Sequence, residues 1–302
     1  MVNASITGKI GVLGATSLVG ACLLALLAKM GQPVTAFTRR EPGYTGDEAE
    51  WRKLAFSPTA ALRLPPHAGE QSILFWVCVA PIWVLPDYFE MLDAYGARRV
   101  VALSSTSRFT KDDSTDPEER AIALRLADAE TRVQEWAKSR GVEWTILRPT
   151  LIYGLGLDKN IAEIARFISR FGFFPVFGKA NGLRQPIHVE DVADACLAAL
   201  QAPGAANRAY NISGGETLTY RNMVARVFSA LDRRPLLATV PIWSFRIAAA
   251  ILRRLPRYRQ WSSAMAERMN RNLVFDHTEA ARDLHFKPRA FVLSAKELPK
   301  SV

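Results

Sequence analysis

The chain has 302 residues, 49% of them apolar, and a net charge of +10. That length holds one large domain or two small ones, and the apolar share is normal for a globular protein. The charge favours anionic partners such as a nucleotide, a phosphorylated substrate or a membrane surface, while the absence of any nucleic-acid motif argues against nucleic acid.

Residues 8–40 organise the rest. Lys9–Leu13 is an apolar run suited to a buried parallel strand. Gly14-Ala-Thr-Ser-Leu-Val-Gly20 turns the chain, and Leu18 to Met30 carries Leu23, Leu26, Leu27 and Met30 at helical spacing. Ser17 caps that helix and Gly31 ends it. Such a strand–turn–helix aims main-chain N–H groups and a helix N-terminus at one spot, which suits a pyrophosphate. Gly14 permits the turn, Gly20 permits close packing, and Ser17 stands where a middle glycine is usual. The main-chain amides of Ala15–Val19, including Thr16, Ser17, Leu18 and Val19, are the expected cradle. Pro33–Thr38 is the next strand. It ends in Arg39-Arg40 rather than an acidic residue, so two guanidiniums are available for a 2′-phosphate. The expected cofactor is therefore NADP, with NAD as the alternative. A plain solvated basic loop is the competing reading of the same residues.

Trp51–Phe56 reads as a short third strand. Ile73–Val79 reads as the central strand, and Ala80 and Pro81 beyond its end are expected to border the cofactor. Pro86–Tyr95 reads as a helix. Arg99–Leu103 is the fifth strand, delivering Ser104-Ser105-Thr106-Ser107 at its carboxyl end. Those hydroxyls suit the orientation of a carbonyl or sugar hydroxyl, or form an ordinary polar turn. Asp116–Arg140 is a long helix and Trp144–Leu147 the sixth strand. Thr150–Gly156 reads as an irregular flap, Ile161–Phe171 as an amphipathic helix, and Phe171–Gly178 as an aromatic loop. Gln185–Asp194 reads as a strand entering a helix over 190–201, with His188 either a base or a structural residue that positions the junction. Ala209–Ile212 is a further strand and Tyr220–Leu231 a helix. Pro241–Arg259 mixes Trp243, Phe245 and Ile247 with five arginines. It reads as a basic amphipathic helix, packed on the domain or laid on an anionic membrane.

Cys22, Cys78 and Cys196 lie far apart in apolar runs and read as buried thiols in a reducing cytosol. The four histidines lack metal-ligand spacing, so no metal is expected. The amino end shows no signal-peptide pattern, and Ile73–Leu85, interrupted by Pro81, is too short to span a bilayer. The expected location is cytoplasmic, with a membrane-peripheral position as the variant that Pro241–Arg259 raises.

Five segments in order resemble a short-chain dehydrogenase/reductase of the extended or atypical type, the NAD-dependent epimerase/dehydratase superfamily. They are Gly14–Gly20, Leu103-Ser-Ser-Thr-Ser107, Leu147-Arg-Pro-Thr-Leu-Ile-Tyr-Gly154, Gln185-Pro-Ile-His-Val-Glu-Asp-Val-Ala193 and Tyr210-Asn-Ile-Ser-Gly-Gly-Glu216. The resemblance implies an α/β fold: a Rossmann-type doubly wound parallel sheet with a smaller, mostly helical C-terminal substrate portion. Residues 1–155 would form the core, rejoined by 185–215, with 156–184 and 216–302 forming the substrate portion. It implies that Ala80, Pro81, Ser104, Pro149 and Ile152 line the cofactor and that the Thr106 hydroxyl assists catalysis; Thr106, Ser107 or Lys111 is the polar support available to a hydride transfer, with Tyr153 a distant candidate. It also implies a homodimer through helices 86–95 and 117–140.

The family's Tyr-x-x-x-Lys pair is missing. Counting back from Glu130, its positions hold Ile122 and Leu126, and Arg125 beside them cannot act as a base. Two readings therefore stay open. One is an NADP-preferring oxidoreductase, epimerase or dehydratase acting on a nucleotide-linked sugar or similar polar small molecule. The other is a catalytically silent NADP-binding structural or sensor protein, similar to an accessory subunit of respiratory complex I.

Overall fold

A computed structural model describes residues 6, 8–39, 49–54, 72–241, 267–294 and 297–299. The chain opens with β1 (Ile10–Leu13), α1 (Leu18–Lys29), β2 (Val34–Thr38), β3 (Glu50–Lys53) and β4 (Phe75–Cys78). A 3₁₀ turn over Ile82–Tyr88 leads into α2 (Phe89–Ala94), β5 (Arg99–Leu103), α3 (Ser107–Thr110), α4 (Pro117–Arg140) and β6 (Glu143–Pro149). Then come β7 (Ile152–Tyr153), α5 (Ile161–Phe171), β8 (Phe174–Phe177), β9 (Leu183–Arg184), β10 (Ile187–His188) and α6 (Val189–Gln201). The last described elements are β11 (Arg208–Ile212), β12 (Leu218–Thr219), α7 (Tyr220–Ala230), β13 (Leu237–Val240) and α8 (Thr278–Leu284).

Seven strands form one parallel sheet in the order β11-β6-β5-β4-β1-β2-β3. This is the doubly wound arrangement. Every residue of β1, β2 and β5 is buried, as expected for parallel strands covered on both faces. Alternate residues feed opposite layers. Val12, Val77 and Val101 join the core under α1 and α6, whereas Leu13, Trp76 and Ala102 join the core under the 3₁₀ turn, α2 and α4. A third core, around Ile164, Val176, Val227 and Phe291, holds α5, α7 and the β8–β13 pair. The strand order reverses between β1 and β4, and ligands of such sheets bind beyond the carboxyl ends of the strands at that point.

Several local expectations change. The expected helix over Pro86–Tyr95 starts earlier, as a 3₁₀ turn with Pro86 inside it, because proline lacks the N–H that a regular helix needs there. The expected third strand, Trp51–Phe56, runs from Glu50 to Lys53, and Phe56 lies outside the described residues. The expected flap, Thr150–Gly156, contains β7, which pairs in parallel with β10. The expected aromatic loop contains β8, which pairs in parallel with β13. The expected basic helix lies, apart from Pro241, outside the described residues.

Candidate functional site at the sheet's carboxyl edge

The β1–α1 turn is fixed by what cannot fit in it. Gly14 has φ +81, and a methyl on its Cα would overlap the Ala80 amide nitrogen at the end of β4. A Cβ on Gly20 would fall 2.5 Å from the carbonyl oxygens of Gly14 and Ala15. The turn therefore presses directly on the strand end that carries Ala80 and Pro81. Ser17 closes the start of α1: its Oγ accepts from the Gly20 amide at 3.0 Å and donates to the Val79 carbonyl at 3.4 Å. The first helical amides, Leu18 and Val19, have no acceptor inside the helix. No acidic side chain occupies the first turn, so the positive end of the helix dipole is not neutralised locally. Thr16 beside it is exposed. This corner fits an anionic diphosphate.

At the end of β2, Arg39 is exposed. Burial raises the Tyr88 phenol's pKa, and the nearby charge of Arg39 opposes that rise, which puts the guanidinium on the same side as the 3₁₀ turn. Arg40 lies outside the described residues.

The hydroxyl run after β5 resolves into distinct jobs. Ser104 is buried and donates to Glu130 Oε1 at 2.6 Å. Ser105 Oγ accepts from the Ser107 amide at 3.1 Å. Thr106 is buried and donates its hydroxyl to the Pro149 carbonyl at 3.1 Å, tying the ends of β5 and β6 together. Ser107 opens the single turn of α3, is half-buried, and its hydroxyl has no hydrogen-bond partner among the described residues. One turn on, burial and then the charge of Arg268 hold the Lys111 ammonium below its usual pKa. Ile152, half-buried on β7, follows Pro149 across the edge.

Beneath these residues lies a charged centre built on Glu130. Glu130 on α4 is fully buried. It receives Arg148 Nε at 3.0 Å and Nη2 at 2.6 Å, the Ser104 hydroxyl, and Arg108. Both guanidiniums also approach the Phe109 ring, at 5.5 Å for Arg108 and 5.2 Å for Arg148. The signal available in the sequence was a glutamate on the buried stripe Leu126, Ala129, Val133, with an arginine inside the apolar strand β6.

The helix α4 carries hydrocarbon where the family resemblance places a Tyr and a Lys. Leu126 is buried and Ile122 half-buried, both in the layer with Trp76 and Cys78. Arg125 turns outward over the Trp83 ring, 4.7 Å from its centre. Tyr153 is far from a catalytic setting. It is buried edge-on against His188 and Phe291, and burial pushes its phenol up to about 12. His188 is also buried, and its Nδ1 accepts from the Glu190 amide at 3.3 Å, capping α6. That is the structural of its two expected roles. Among the described residues, no group of His, Cys, Asp and Glu is arranged to hold a metal ion, and no helix is long and apolar enough to cross a membrane.

Comparison with known proteins points to the same fold. The model of the NAD dependent epimerase/dehydratase family matches residues 87–213. A UDP-glucose 4-epimerase of Vibrio cholerae is 26% identical over 180 residues, 60% of this chain, which thus spans about half (52%) of that relative's length. A mitochondrial NADH dehydrogenase [ubiquinone] 1 alpha subcomplex subunit 9 of Arabidopsis thaliana is 27% identical over 128 residues, 42% of this chain and 31% of that one. Among solved structures, a UDP-glucuronic acid 4-epimerase from Bacillus cereus in complex with NAD superposes with a TM-score of 0.70 at 13% identity, covering 96% of this chain and 95% of the other. The family match runs from Asp87 to the end of the last sheet strand, so this part of the chain is similar to the NAD dependent epimerase/dehydratase family, and the order of the sheet is the one its structural neighbours share.

Proposed function

We propose that the chain is an NADP-binding oxidoreductase or epimerase of this superfamily acting on a nucleotide-linked sugar or a similarly polar small molecule. The observation that carries the binding half is the β1–α1 corner, where glycines press against β4 and an uncompensated helix end points outward. The diphosphate sits on the amides of Leu18 and Val19, with Gly14, Thr16, Ser17 and Gly20 shaping the cradle. Ala80 and Pro81 flank the cofactor where the strand order reverses, and Ser104, Pro149 and Ile152 border its nicotinamide end. Arg39, with Arg40, takes the 2′-phosphate. A bound nicotinamide supplies hydride chemistry. The chain's own share is to orient the substrate by the Ser107 hydroxyl, with Thr106 holding the strand ends and Lys111, one turn on from Ser107, as an amine with a lowered pKa.

Tryptophan-quenching titrations test the cofactor assignment. NADPH should bind at least about tenfold more tightly than NADH, as one lost charge-assisted contact implies. Arg39→Ala should remove the difference without weakening NADH. Tighter NADH binding would cancel the role of Arg39 and Arg40.

A second reading has its own support. Ile122 and Leu126 put hydrocarbon at the acid–base positions, and the Thr106 hydroxyl is spent on a carbonyl. That favours a protein that binds the dinucleotide without turnover. Transfer of substrate-derived hydride to bound NADP, followed at 340 nm with UDP-sugars as candidates, separates the two readings. The homodimer through α2 and α4 is part of the same proposal, and light scattering on Leu124→Glu, an exposed position of α4, tests it.

A further inference from the structure

The third core ends in a surface that neither reading uses. Helix α5 closes at Gly172 with φ +77, and this turn leaves Phe171 52% exposed and Phe173 half-buried. The chain between α7 and β13 runs beside it, because the Phe174 amide donates to the Leu236 carbonyl at 3.0 Å. Leu236 is 62% exposed. The two loops are locked together: Arg233 donates through Nη1 to the Ile168 carbonyl at 2.8 Å, and its amide donates to the Phe228 carbonyl at 2.9 Å. The apolar tips are thus preformed rather than collapsed inward. Burial of the neighbouring Phe174 and Ile168 shows that the core beneath has taken its share of hydrocarbon, and Phe171 and Leu236 are the surplus.

Charge surrounds them. Arg170 stacks over the Phe171 ring at 5.3 Å, and Arg233 and Arg234 precede Leu236. Against three arginines stands one acid in these loops, Asp232. Among the described residues, neither Arg170 nor Arg234 meets a carboxylate, although most other arginines of this lobe do or else bond a carbonyl. An aromatic ring and a leucine projecting between exposed guanidiniums match the chemistry of a bilayer's polar boundary, where rings enter the headgroup layer and cations meet lipid phosphates. The overall charge of +10 adds long-range attraction to the same surface.

We propose that this tip, formed by Phe171, Phe173 and Leu236 within Arg170, Arg233 and Arg234, docks the chain on an anionic lipid surface. The contact is peripheral. It needs none of the residues at the sheet's carboxyl edge, so it stands or falls independently of turnover.

The test is co-sedimentation of the full chain with phosphatidylcholine vesicles, with and without phosphatidylglycerol. Binding should require the anionic lipid and weaken as salt is raised. Arg170→Gln with Arg234→Gln should lower the partition about 30-fold, from the worth of two basic residues near such a surface. Phe171→Ser with Leu236→Ser should lower it by at least about tenfold while leaving the charge unchanged. Unchanged thermal midpoints and unchanged NADPH affinity show that the variants fold. No anionic-lipid binding by the parent chain overturns the proposal. So does binding that both variants retain in full, since attachment then runs through another part of the chain. Concentration-dependent dimers that Phe171→Ser with Leu236→Ser abolishes, with no vesicle binding, would assign the tip to a second copy instead.

Discussion

Glu130→Ala removes the single carboxylate that two guanidiniums and a serine hydroxyl share. Glu130 is fully buried, and the side chains of Arg148 and Arg108 are 15% and 29% exposed. Breaking a buried pair by deleting one partner costs about 3–5 kcal/mol, because the remaining charge is left uncompensated. Water reaches Arg108 more readily than Arg148, which places the cost at the low end, about 3 kcal/mol. The lost Ser104 bond adds about 1 kcal/mol. For a chain of this size, the sum of about 4 kcal/mol corresponds to a fall in melting temperature of roughly 8 °C. Glu130→Gln keeps the volume and one acceptor, and should cost about half as much. Urea unfolding followed by circular dichroism reads both variants. Arg148→Met combined with Glu130→Ala should be less destabilised than the sum of the singles, because the more buried of the two stranded cations is gone. A Glu130→Ala chain within about 1 kcal/mol of the parent, or strict additivity in the double variant, refutes the reasoning.

Two more outcomes are expected. Gly14→Ala forces a β-carbon into a left-handed backbone at about 1–2 kcal/mol and into the Ala80 amide besides, so it should lower the melting temperature and weaken NADPH binding together. Intact binding in calorimetry would detach the turn from the cofactor. His188 is held below the usual histidine range by burial and then by Arg289, while Glu190, Asp191 and Glu297 push the other way. The folded chain therefore keeps it neutral where the unfolded chain takes up a proton, so its contribution is complete above about pH 6.5 and is lost as pH falls through the lowered value. His188→Asn, which still caps α6, should flatten the decline in urea midpoint between neutral and mildly acidic pH. An identical slope in both chains would place the proton uptake elsewhere.

The parts that were legible in the sequence are those fixed by near neighbours. Gly14, Ser17 and Gly20 act within one turn, and the buried runs of β1, β4 and β5 declare themselves by continuous hydrophobicity. What escaped depends on distant partners. Phe174–Phe177 becomes a strand because Leu237–Val240, some sixty residues later, lies beside it. Ile152–Tyr153 likewise waits for Ile187–His188. The same holds at the edge of the sheet. The hydroxyls at 104–107 are visible as a group, but which of them is spent depends on Glu130 and on the Pro149 carbonyl, and spacing along the chain does not reveal either.

The strand order also has a consequence for biosynthesis. The neighbour that covers the outer edge of β6 is β11, which emerges from the ribosome roughly sixty residues later, or about 3–12 s at ordinary elongation rates. Throughout that interval the nascent chain presents an unpaired apolar strand, Thr145 to Leu147, to the crowded cell. Translation stalls placed between codons 150 and 208 should therefore yield the most chaperone-dependent and aggregation-prone intermediates.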